Sequence, residues 1–295
     1  MDLKKLLPIL LFSVLITLFS CIDIDAIDFL SPIKDDSGFV KLDVDHIVDG
    51  DTFYGYVNGE YKKVRIVGID TPETHAGSKP IGEYGEDAKR FLENFVSKYE
   101  IYLKIVGNDE YRRTLAYVFG KNSENGYIFY EESVLMEGYA RPLIYLNNDD
   151  RELTPNNDDR ELTPNNDDRE LTPRIVQAYY YAFENRKGIF SKWNSAKVLS
   201  SKAQITSLLE GKIVFLEGTV KDIRKNYHRD GGYTYYIDCD WFEISIRDGE
   251  YEYFFKDYNL YSIKGKKVRF YGELWFDDNK PEILLRSPNE IVVLN

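Results

Sequence analysis

The sequence predicts a mainly β protein of the α+β class, in which a small barrel with helices is followed by a second β-barrel. In the first half, strand-like runs alternate with segments whose apolar residues follow helical spacing. In the second half, strand-like runs follow one another with polar turns between them. The chain has 295 residues, of which 43% are apolar, and this is enough for two modest cores.

The first elements along the chain are two strands joined by a tight turn. The runs TFYGYV and EYKKVRIVGI flank Asn58 and Gly59, and an Asn-Gly pair between strand patterns is a strong hairpin signal. A two-residue turn at this pair places Thr52 opposite Arg65. Arg65 is therefore expected beside Asp51.

The run RIVGIDTPET carries charged residues at both ends of an apolar strand pattern. On a straight strand, Asp70 would lie on the order of 13 Å beyond the partner of Asp51, which is too far for the two to share an ion. Gly68 interrupts the run, and a glycine within a strand commonly marks a bulge or a bend. We therefore expect the chain to curl at Gly68 and to return Asp70 and Glu73 towards Asp51.

The later elements of the first half continue the mixed pattern. Helices are predicted over GEYGEDAKRFLENFVSK, EESVLMEGYA and RIVQAYYYAFENRKGIF, and strands over IYLKIV and RRTLAYVF. In the last of these strands, alternation places Arg113 on the same face as Leu115. Together these segments indicate a small barrel with helices packed on it.

Residues 210–295 indicate a separate all-β unit, preceded by a polar or helical connector over residues 194–209. The pattern resembles an OB-fold of the type that binds nucleic acids. Aromatic side chains in this unit can stack on bases, although core and sheet-face positions are the alternative. These residues are Tyr233, Tyr235, Tyr236, Trp241, Tyr253 and Phe254.

Residues 1–21 are predicted to direct export. Two lysines precede an apolar stretch from Leu6 to Phe19, which has signal-peptide length and is shorter than the roughly 20 residues that span a bilayer. The sequence up to Cys21 resembles a lipoprotein cleavage box, in which Cys21 becomes the lipidated first residue. An uncleaved anchor and cleavage near Ala26 are the alternatives. After lipidation of Cys21, or its removal by cleavage near Ala26, Cys239 is the only cysteine with a free thiol, so no intramolecular disulfide is available.

The nonapeptide NNDDRELTP occurs three times in succession, starting at Asn147, Asn156 and Asn165. Each copy carries three acids and one arginine, so the three copies supply half of the chain's net charge of −12. A unit with one leucine cannot build a solenoid core, which predicts a solvated loop. We favour expansion of a tolerated surface loop over a purposeful element, because loop length costs little. The Asn-Asp pair is nevertheless able to cap a helical turn in each copy.

The charged residues Asp51, Arg65, Asp70, Glu73 and Arg113 are candidates for one site. Carboxylates without a neighbouring cysteine or histidine pair suit a hard cation, Ca²⁺ or Mg²⁺ rather than Zn²⁺. Two arginines suit the oxygens of a phosphate group. A metal, a spare carboxylate and two arginines provide a Lewis acid, a general base and a transition-state clamp for phosphodiester cleavage. On composition alone, surface ion pairing is the alternative.

Three segments resemble, in order and spacing, the staphylococcal nuclease (thermonuclease) family. They are DGDT from Asp49, the segment from Arg65 to Thr74, and YRRTLAY from Tyr111. The resemblance runs from about Phe39 to Trp193, apart from the repeat. It implies a five-stranded OB-type barrel with three helices, which matches the elements above, and hydrolysis of DNA or RNA.

The resemblance also implies a role for each matching residue. The residues that resemble the family's Ca²⁺ ligands are Asp51, Asp70 and Thr71, the last through its carbonyl oxygen. Glu73 resembles the base that activates water, and Arg65 and Arg113 resemble the phosphate-binding pair. Tyr111 matches the family's tyrosine on the substrate side. The family's other substrate-side tyrosines map near Ile144 and Leu146, where this sequence departs from the pattern.

The predicted organisation is a signal peptide with a lipobox over residues 1–21, a nuclease-like domain over 39–193 that contains the repeat at 147–173, the connector over 194–209 and the OB-like domain over 210–295. The predicted function is that of an exported, metal-dependent phosphodiesterase, held at the membrane by lipid on Cys21. The net charge of −12 argues against a nonspecific nucleic-acid coat but leaves room for a locally basic cleft. The rival is a nonenzymatic nucleic-acid or protein-binding module on a nuclease-like barrel.

Overall fold

The computed structural model describes residues 31–75, 80–109, 111–122, 126–146, 168–228, 231–277 and 279–294. The predicted signal peptide with its lipobox, and the repeat up to residue 167, lie outside these residues. Residues Ile33–Asn295 form one compact unit. Within the described ranges, no helix is both long and apolar enough to cross a membrane.

Eight strands belong to the first half of the chain. They are β1 (Phe39–Ile47), β2 (Thr52–Val57), β3 (Glu60–Ile66), β4 (Gly68–Asp70), β5 (Glu100–Asn108), β6 (Thr114–Asn122), β7 (Gly126–Phe129) and β8 (Arg141–Leu143). The main sheet has the order β3-β2-β1-β5-β6-β7, and β3 also pairs with β6 in parallel. This second pairing closes β1, β2, β3, β5 and β6 into the expected five-stranded barrel.

The hairpin between β2 and β3 has the predicted register. Thr52 pairs with Arg65. Asn58 and Gly59 have φ values of 50° and 82°, and a two-residue turn of this kind requires positive φ at both positions. The Asn-Gly pair therefore sets which side chain of β3 lies beside the start of β2.

Three helices pack on the barrel, as the periodicity predicts: α1 (Gly85–Lys98), α2 (Tyr130–Met136) and α3 (Leu171–Glu184). Helix α1 buries Ala88, Leu92 and Phe95 along one face, which is the spacing of an amphipathic helix. Helix α3 begins inside the third copy of the repeat, so the end of that copy is part of a regular element.

The second half of the chain forms a curled sheet, the C-terminal sheet, from eight strands. They are β9 (Lys197–Leu199), β10 (Ile213–Tyr227), β11 (Tyr233–Cys239), β12 (Glu243–Arg247), β13 (Lys267–Glu273), β14 (Trp275–Asp277), β15 (Lys280–Leu284) and β16 (Ile291–Val293). The order is β14-β15-β12-β11-β10-β13-β16, with β9 parallel to β10. Strand β10 pairs with β13 through its first part and with β11 through its second, so one long strand curls the sheet.

Short helical segments connect these strands. They are α4 (Asp248–Glu250), which continues into a π-helical turn (Tyr251–Phe255), and 3-10 turns at Gly188–Lys192, Lys202–Gln204, Ser207–Leu209, Leu260–Ile263 and Pro288–Glu290. The predicted connector thus contains two 3-10 turns, as well as the strand β9, which the sequence pattern does not indicate.

Two of the aromatic residues considered for base stacking are buried. Tyr235 and Phe254 are 7% and 5% exposed. Tyr235 stacks on Tyr251 with 4.4 Å between ring centroids, and Phe254 packs against Tyr179 and Tyr180 of α3. For these two residues the core interpretation is correct, and Phe254 joins the C-terminal sheet to the helices of the first half.

Candidate active site

The chain turns sharply at Gly68, as the interrupted strand pattern predicts. Gly68 has a φ of 79°, a value that glycine adopts without strain. A Cβ atom there would also lie 2.6 Å from the Cδ1 atom of Ile175. After the turn, β4 leaves the barrel and pairs with β8, so that Asp70 lies opposite Arg141. The turn brings Asp70 back to the end of β3.

Asp51 lies at the centre of the site, where it is 5% exposed. Its Oδ2 atom accepts hydrogen bonds from the backbone N–H and the hydroxyl of Thr71, at 2.7 and 2.9 Å. Its Oδ1 atom accepts one from the Thr52 hydroxyl at 3.0 Å. These bonds hold the segment after the Gly68 turn against the start of β2.

Arg65 bridges the two aspartates. Its Nη1 atom lies 3.0 Å from Oδ1 of Asp51, and its Nη2 atom lies 3.5 Å from Oδ1 of Asp70. Burial lowers the pKa of Arg65, but the charges of Asp51 and Asp70 outweigh it, so the net shift is upward. The guanidinium therefore remains charged and faces both carboxylates at once.

Asp49 is a third carboxylate near Asp51 and Arg65. Its Oδ1 atom accepts a hydrogen bond from the backbone N–H of Asp51 at 3.0 Å. Burial, and then the charge of Asp51, raise the pKa of Asp49 well above its ordinary value. The sequence places Asp49 in the DGDT segment but does not assign it a role.

Glu73 lies on the wall of a cavity of about 60 Å³ that adjoins the aspartates. Its backbone carbonyl accepts a hydrogen bond from the N–H of Gly82, just before α1, at 3.0 Å. The first half also contributes Asp70, Thr71, Pro72, Pro80 and Arg141 to the wall. The C-terminal sheet and the segment after it contribute Arg247, Glu273, Trp275, Leu284 and Arg286.

Arg113 and Tyr111 lie in the connection between β5 and β6. The Nε atom of Arg113 is 2.6 Å from Oδ2 of Asp109, whose Oδ1 atom accepts the Arg113 backbone N–H at 2.8 Å. The Arg113 guanidinium lies over the ring of Tyr111, 5.4 Å from its centroid. Tyr111 is 72% exposed. The structure thus brings Asp51, Arg65, Asp70 and Thr71 into direct contact, whereas Arg113 pairs with Asp109.

Arg286 reaches the site from the end of the chain, and sequence reasoning did not identify it. Its Nη2 atom lies 3.3 Å from Oδ2 of Asp70, and its Nη1 atom lies 2.8 Å from Oε1 of Glu250. Arg286 is only 2% exposed. Because 216 residues separate Arg286 from Asp70, no local pattern could reveal the contact.

The backbone at Ile144 makes a close approach to α4. Ile144 is 1% exposed, and a Cβ atom at Gly249 would lie 1.9 Å from its carbonyl oxygen. Only glycine fits at such a distance. This contact packs α4 against the segment that follows β8.

The residues that the sequence assigns to Ca²⁺ carry oxygen donors, which a hard cation prefers. One guanidinium contacts both Asp51 and Asp70, so the two carboxylates are close enough to face a common positive charge. Calcium prefers carboxylate, carbonyl and water oxygens, and the carbonyl of Thr71 adds a donor of this class. In the part of the chain that the structure describes, no group of three or more His, Cys, Asp or Glu residues could hold a metal ion.

Comparison with known proteins finds similarity in the part of the chain that contains most of the predicted site residues. The family model described as "Staphylococcal nuclease homologue" matches residues 63–158. The thermonuclease of Staphylococcus intermedius is 33% identical over 108 residues, which are 36% of this chain and 61% of that protein. Residues 63–158, which include β5 to β8 and most of β3, are therefore similar to the staphylococcal nuclease family. The strands after β8 lie beyond the matched residues.

Two further proteins are similar to this chain. Endonuclease YncB of Bacillus subtilis is 34% identical over 113 residues, 37% of this chain and 50% of that protein. An uncharacterized protein of Methanocaldococcus jannaschii is 36% identical over 122 residues, 35% of this chain and 58% of that protein. The chain thus covers between 50% and 61% of the length of these three relatives.

Proposed function

We propose that this protein is a Ca²⁺-dependent nuclease that hydrolyses phosphodiester bonds in DNA, RNA or both. The observation that supports this most directly is the placement of Asp51 and Asp70 on a single arginine, Arg65. These residues lie in or beside the segment that is similar to proteins named thermonuclease and endonuclease. Glu73 lines the adjoining cavity.

The proposed roles follow from the chemistry of each side chain. The oxygens of Asp51, Asp70 and Thr71 would hold the ion, which supplies a Lewis acid for a phosphate oxygen when bound. Glu73 accepts a proton from the attacking water as a general base. Arg65 and Arg113 donate hydrogen bonds to phosphate oxygens and stabilise the charge that develops in the transition state.

Both arginines pair with carboxylates in the structure, Arg65 with the two site aspartates and Arg113 with Asp109. A phosphate group offers the same planar fork of donors an alternative set of acceptors. Substrate binding therefore requires Arg113 to exchange Asp109 for a phosphate oxygen. Asp109 holds the Arg113 side chain in place until that exchange.

The metal requirement is tested with a nuclease assay in chelator, followed by addition of Ca²⁺. We expect hydrolysis to stop in chelator and to return with the ion, because without the ion the proposed site lacks its Lewis acid. Asp51→Ala should chiefly weaken ion binding, whereas Glu73→Gln should retain ion binding and lower turnover. The matched control is Glu93→Gln, the same change at an exposed position of α1. Full activity in chelator would overturn the metal assignment.

The same assay separates the proposed enzyme from its rival, a binding module without turnover. A parent protein that binds labelled DNA or RNA but leaves both uncut with Ca²⁺ present would favour the binding module. Loss of cleavage in Glu73→Gln with retained binding of nucleic acid would favour the enzyme. Binding is measured separately by fluorescence anisotropy, so the two outcomes are independent.

We also propose that the protein is exported and anchored to the membrane by lipid on Cys21. The support is the sequence of residues 1–21, which lie outside the described residues. If the proposal is correct, Cys21→Ser should release the protein from the membrane fraction or leave an unprocessed precursor. Fractionation and intact mass measure both results. An unchanged distribution and mass would favour ordinary secretion or an uncleaved anchor.

A further inference from the structure

Three buried donor atoms at the junction of the barrel and the C-terminal sheet have no hydrogen-bond partner among the described residues. They are Nη2 of Arg141, Nε1 of Trp275 and Nε of Arg286. All three side chains line the cavity beside Asp70 and Glu73. Buried donors are almost always paired in folded proteins, so three unpaired donors around one cavity indicate a ligand that accepts hydrogen bonds.

A third guanidinium, that of Arg247, lines the same cavity. It ends β12, where it pairs with Thr234 of β11. Within the described residues, Arg247 takes part in no salt bridge. Burial lowers its pKa, but nearby charges, that of Glu250 foremost, outweigh burial, so the net shift of the pKa is upward. The cavity therefore concentrates three arginines in a chain whose net charge is −12.

The cavity wall also carries three acids, Asp70, Glu73 and Glu273, and two of them form ion pairs with arginines. Glu273 pairs with Arg141, and Asp70 pairs with both Arg65 and Arg286. The unpaired donor atoms are those that remain after these ion pairs are formed. A ligand for them needs hydrogen-bond acceptors, and the oxygens of a phosphate group supply these to guanidinium groups especially well.

The size of the cavity agrees with this chemistry. Its volume is about 60 Å³, whereas a single water requires roughly 10–15 Å³ on this measure. The cavity thus has room for several waters or for one small tetrahedral oxyanion. Arg286 is 2% exposed and is fixed by Glu250 and Asp70, so its free donor is positioned before a ligand arrives.

We propose that this cavity binds a phosphate group of the substrate strand that neighbours the scissile phosphate. The inference rests on the proposed function, since it takes the ligand to be nucleic acid. In this proposal the second half of the chain contacts substrate directly through Trp275, Arg247 and Arg286. Arg141 contributes from β8. The substrate is then held on both sides of the catalytic carboxylates.

The test measures binding of a labelled single-stranded octanucleotide by fluorescence anisotropy, in chelator and at low salt, so that no hydrolysis is needed. Arg247→Gln should weaken binding about tenfold, because it removes charged donors to phosphate. Trp275→Phe removes the indole N–H together with part of the ring, a loss that Trp241→Phe matches, and should weaken binding about threefold. Thermal unfolding confirms that each variant is folded.

Matched controls on the same sheet are Arg269→Gln and Trp241→Phe. Arg269 pairs with Glu217, and the indole of Trp241 donates to the Glu217 carbonyl at 3.1 Å, so both donors already have protein partners. We expect each control to change affinity less than about twofold. The controls therefore measure the effect of removing a charge or an indole N–H outside the cavity.

A second ligand, the octanucleotide with an uncharged methylphosphonate backbone, tests whether phosphate is the group recognised. The parent and both cavity variants should bind it equally. Unchanged binding of the native octanucleotide by both variants would overturn the proposal and indicate that the cavity holds water. Equal weakening with the uncharged strand would exclude phosphate as the ligand. A protein that binds through this cavity but does not cleave would contradict the proposed nuclease function and leave the phosphate site standing.

Discussion

The charge balance of the candidate site depends on Arg65. Its side chain is 14% exposed, and those of Asp51 and Asp70 are 8% and 16% exposed. Removing one member of a buried ion pair leaves an uncompensated charge and commonly costs about 3–5 kcal/mol. Arg65 therefore serves both stability and the proposed function. Its guanidinium stabilises the turn at Gly68 and also faces the position proposed for phosphate.

Glu131 on α2 provides a prediction about pH. It is fully buried and accepts a hydrogen bond from the backbone N–H of Val118 at 3.1 Å, and burial raises its pKa well above the ordinary 4.5. The folded state therefore keeps a proton that the unfolded chain releases. It follows that this group makes the free energy of unfolding fall as pH rises above about 4.5 towards the pKa of the folded state.

Glu131→Gln should remove this dependence, because the amide cannot ionise. We expect the stability of the variant to change less than that of the parent between about pH 5 and pH 8, and to exceed it at the upper end. Urea unfolding at several pH values measures the slope. Glu93→Gln, at an exposed position, is the control. Identical slopes for parent and Glu131→Gln would show that this carboxyl does not titrate differently on folding.

At the scale of elements, the start of α3 shows what the third repeat copy contributes. The Oδ1 atom of Asp168 accepts hydrogen bonds from the backbone N–H groups of Glu170 and Leu171, at 2.9 and 3.0 Å. The Thr172 hydroxyl accepts the N–H of Asp168 in return, at 3.1 Å, and Lys104 pairs with the Asp168 carboxylate at 2.6 Å. The Asp of NNDDRELTP thus orders the start of a helix, as the sequence indicates.

Asp168→Ala should lower the free energy of unfolding by about 1 kcal/mol, the usual cost of losing a helix-capping side chain. Chemical denaturation at neutral pH measures this loss. The control is Asp159→Ala, which makes the same change in the same nonapeptide nine residues earlier. A loss confined to Asp168→Ala attributes the effect to the cap, whereas equal losses in the two variants would contradict that assignment.

The elements near the site were predictable because short-range rules set them. The Asn58-Gly59 turn determines the register that puts Arg65 beside Asp51, and Gly68 marks the bend that returns Asp70. Strand β9 was missed because three residues become a strand only through their pairing with β10. The contact of Arg286 with Asp70 was missed because it depends on how two separately patterned halves pack, which no periodicity within either half encodes.

At the scale of the whole molecule, the C-terminal sheet completes the cleft of the barrel. Arg286 contacts Asp70, and Arg141 on β8 pairs with Glu273 on β13. The Tyr179 hydroxyl on α3 donates to Glu290. These contacts place basic side chains beside Asp70 and Glu73 in a chain that is acidic overall. Acids elsewhere in the chain oppose the approach of a polyanion.

The repeat is the largest source of such acids, and shortening it tests their effect. Each copy carries a net −2, so deleting Asn156–Pro173 changes the net charge of the chain from −12 to −8. Because the copies are identical, the surviving copy joins Arg174 with the same DRELTP sequence that starts α3. The helix cap is thus retained, and loop shortening should change stability by about 1 kcal/mol or less.

Removing acid from the repeat, which precedes α3 in the sequence, should strengthen attraction of the polyanionic substrate. We expect the apparent Michaelis constant to fall by a factor of roughly 2–5 at low ionic strength and to converge with that of the parent at high salt, where screening removes the difference. The turnover number should stay unchanged, since the deletion leaves Asp51, Arg65 and Glu73 in place. Steady-state kinetics over a salt series, with thermal unfolding as the folding control, measure both quantities. Weaker substrate binding or a cooperative loss of fold after deletion would show instead that the repeat serves recognition or structure and is not a tolerated expansion.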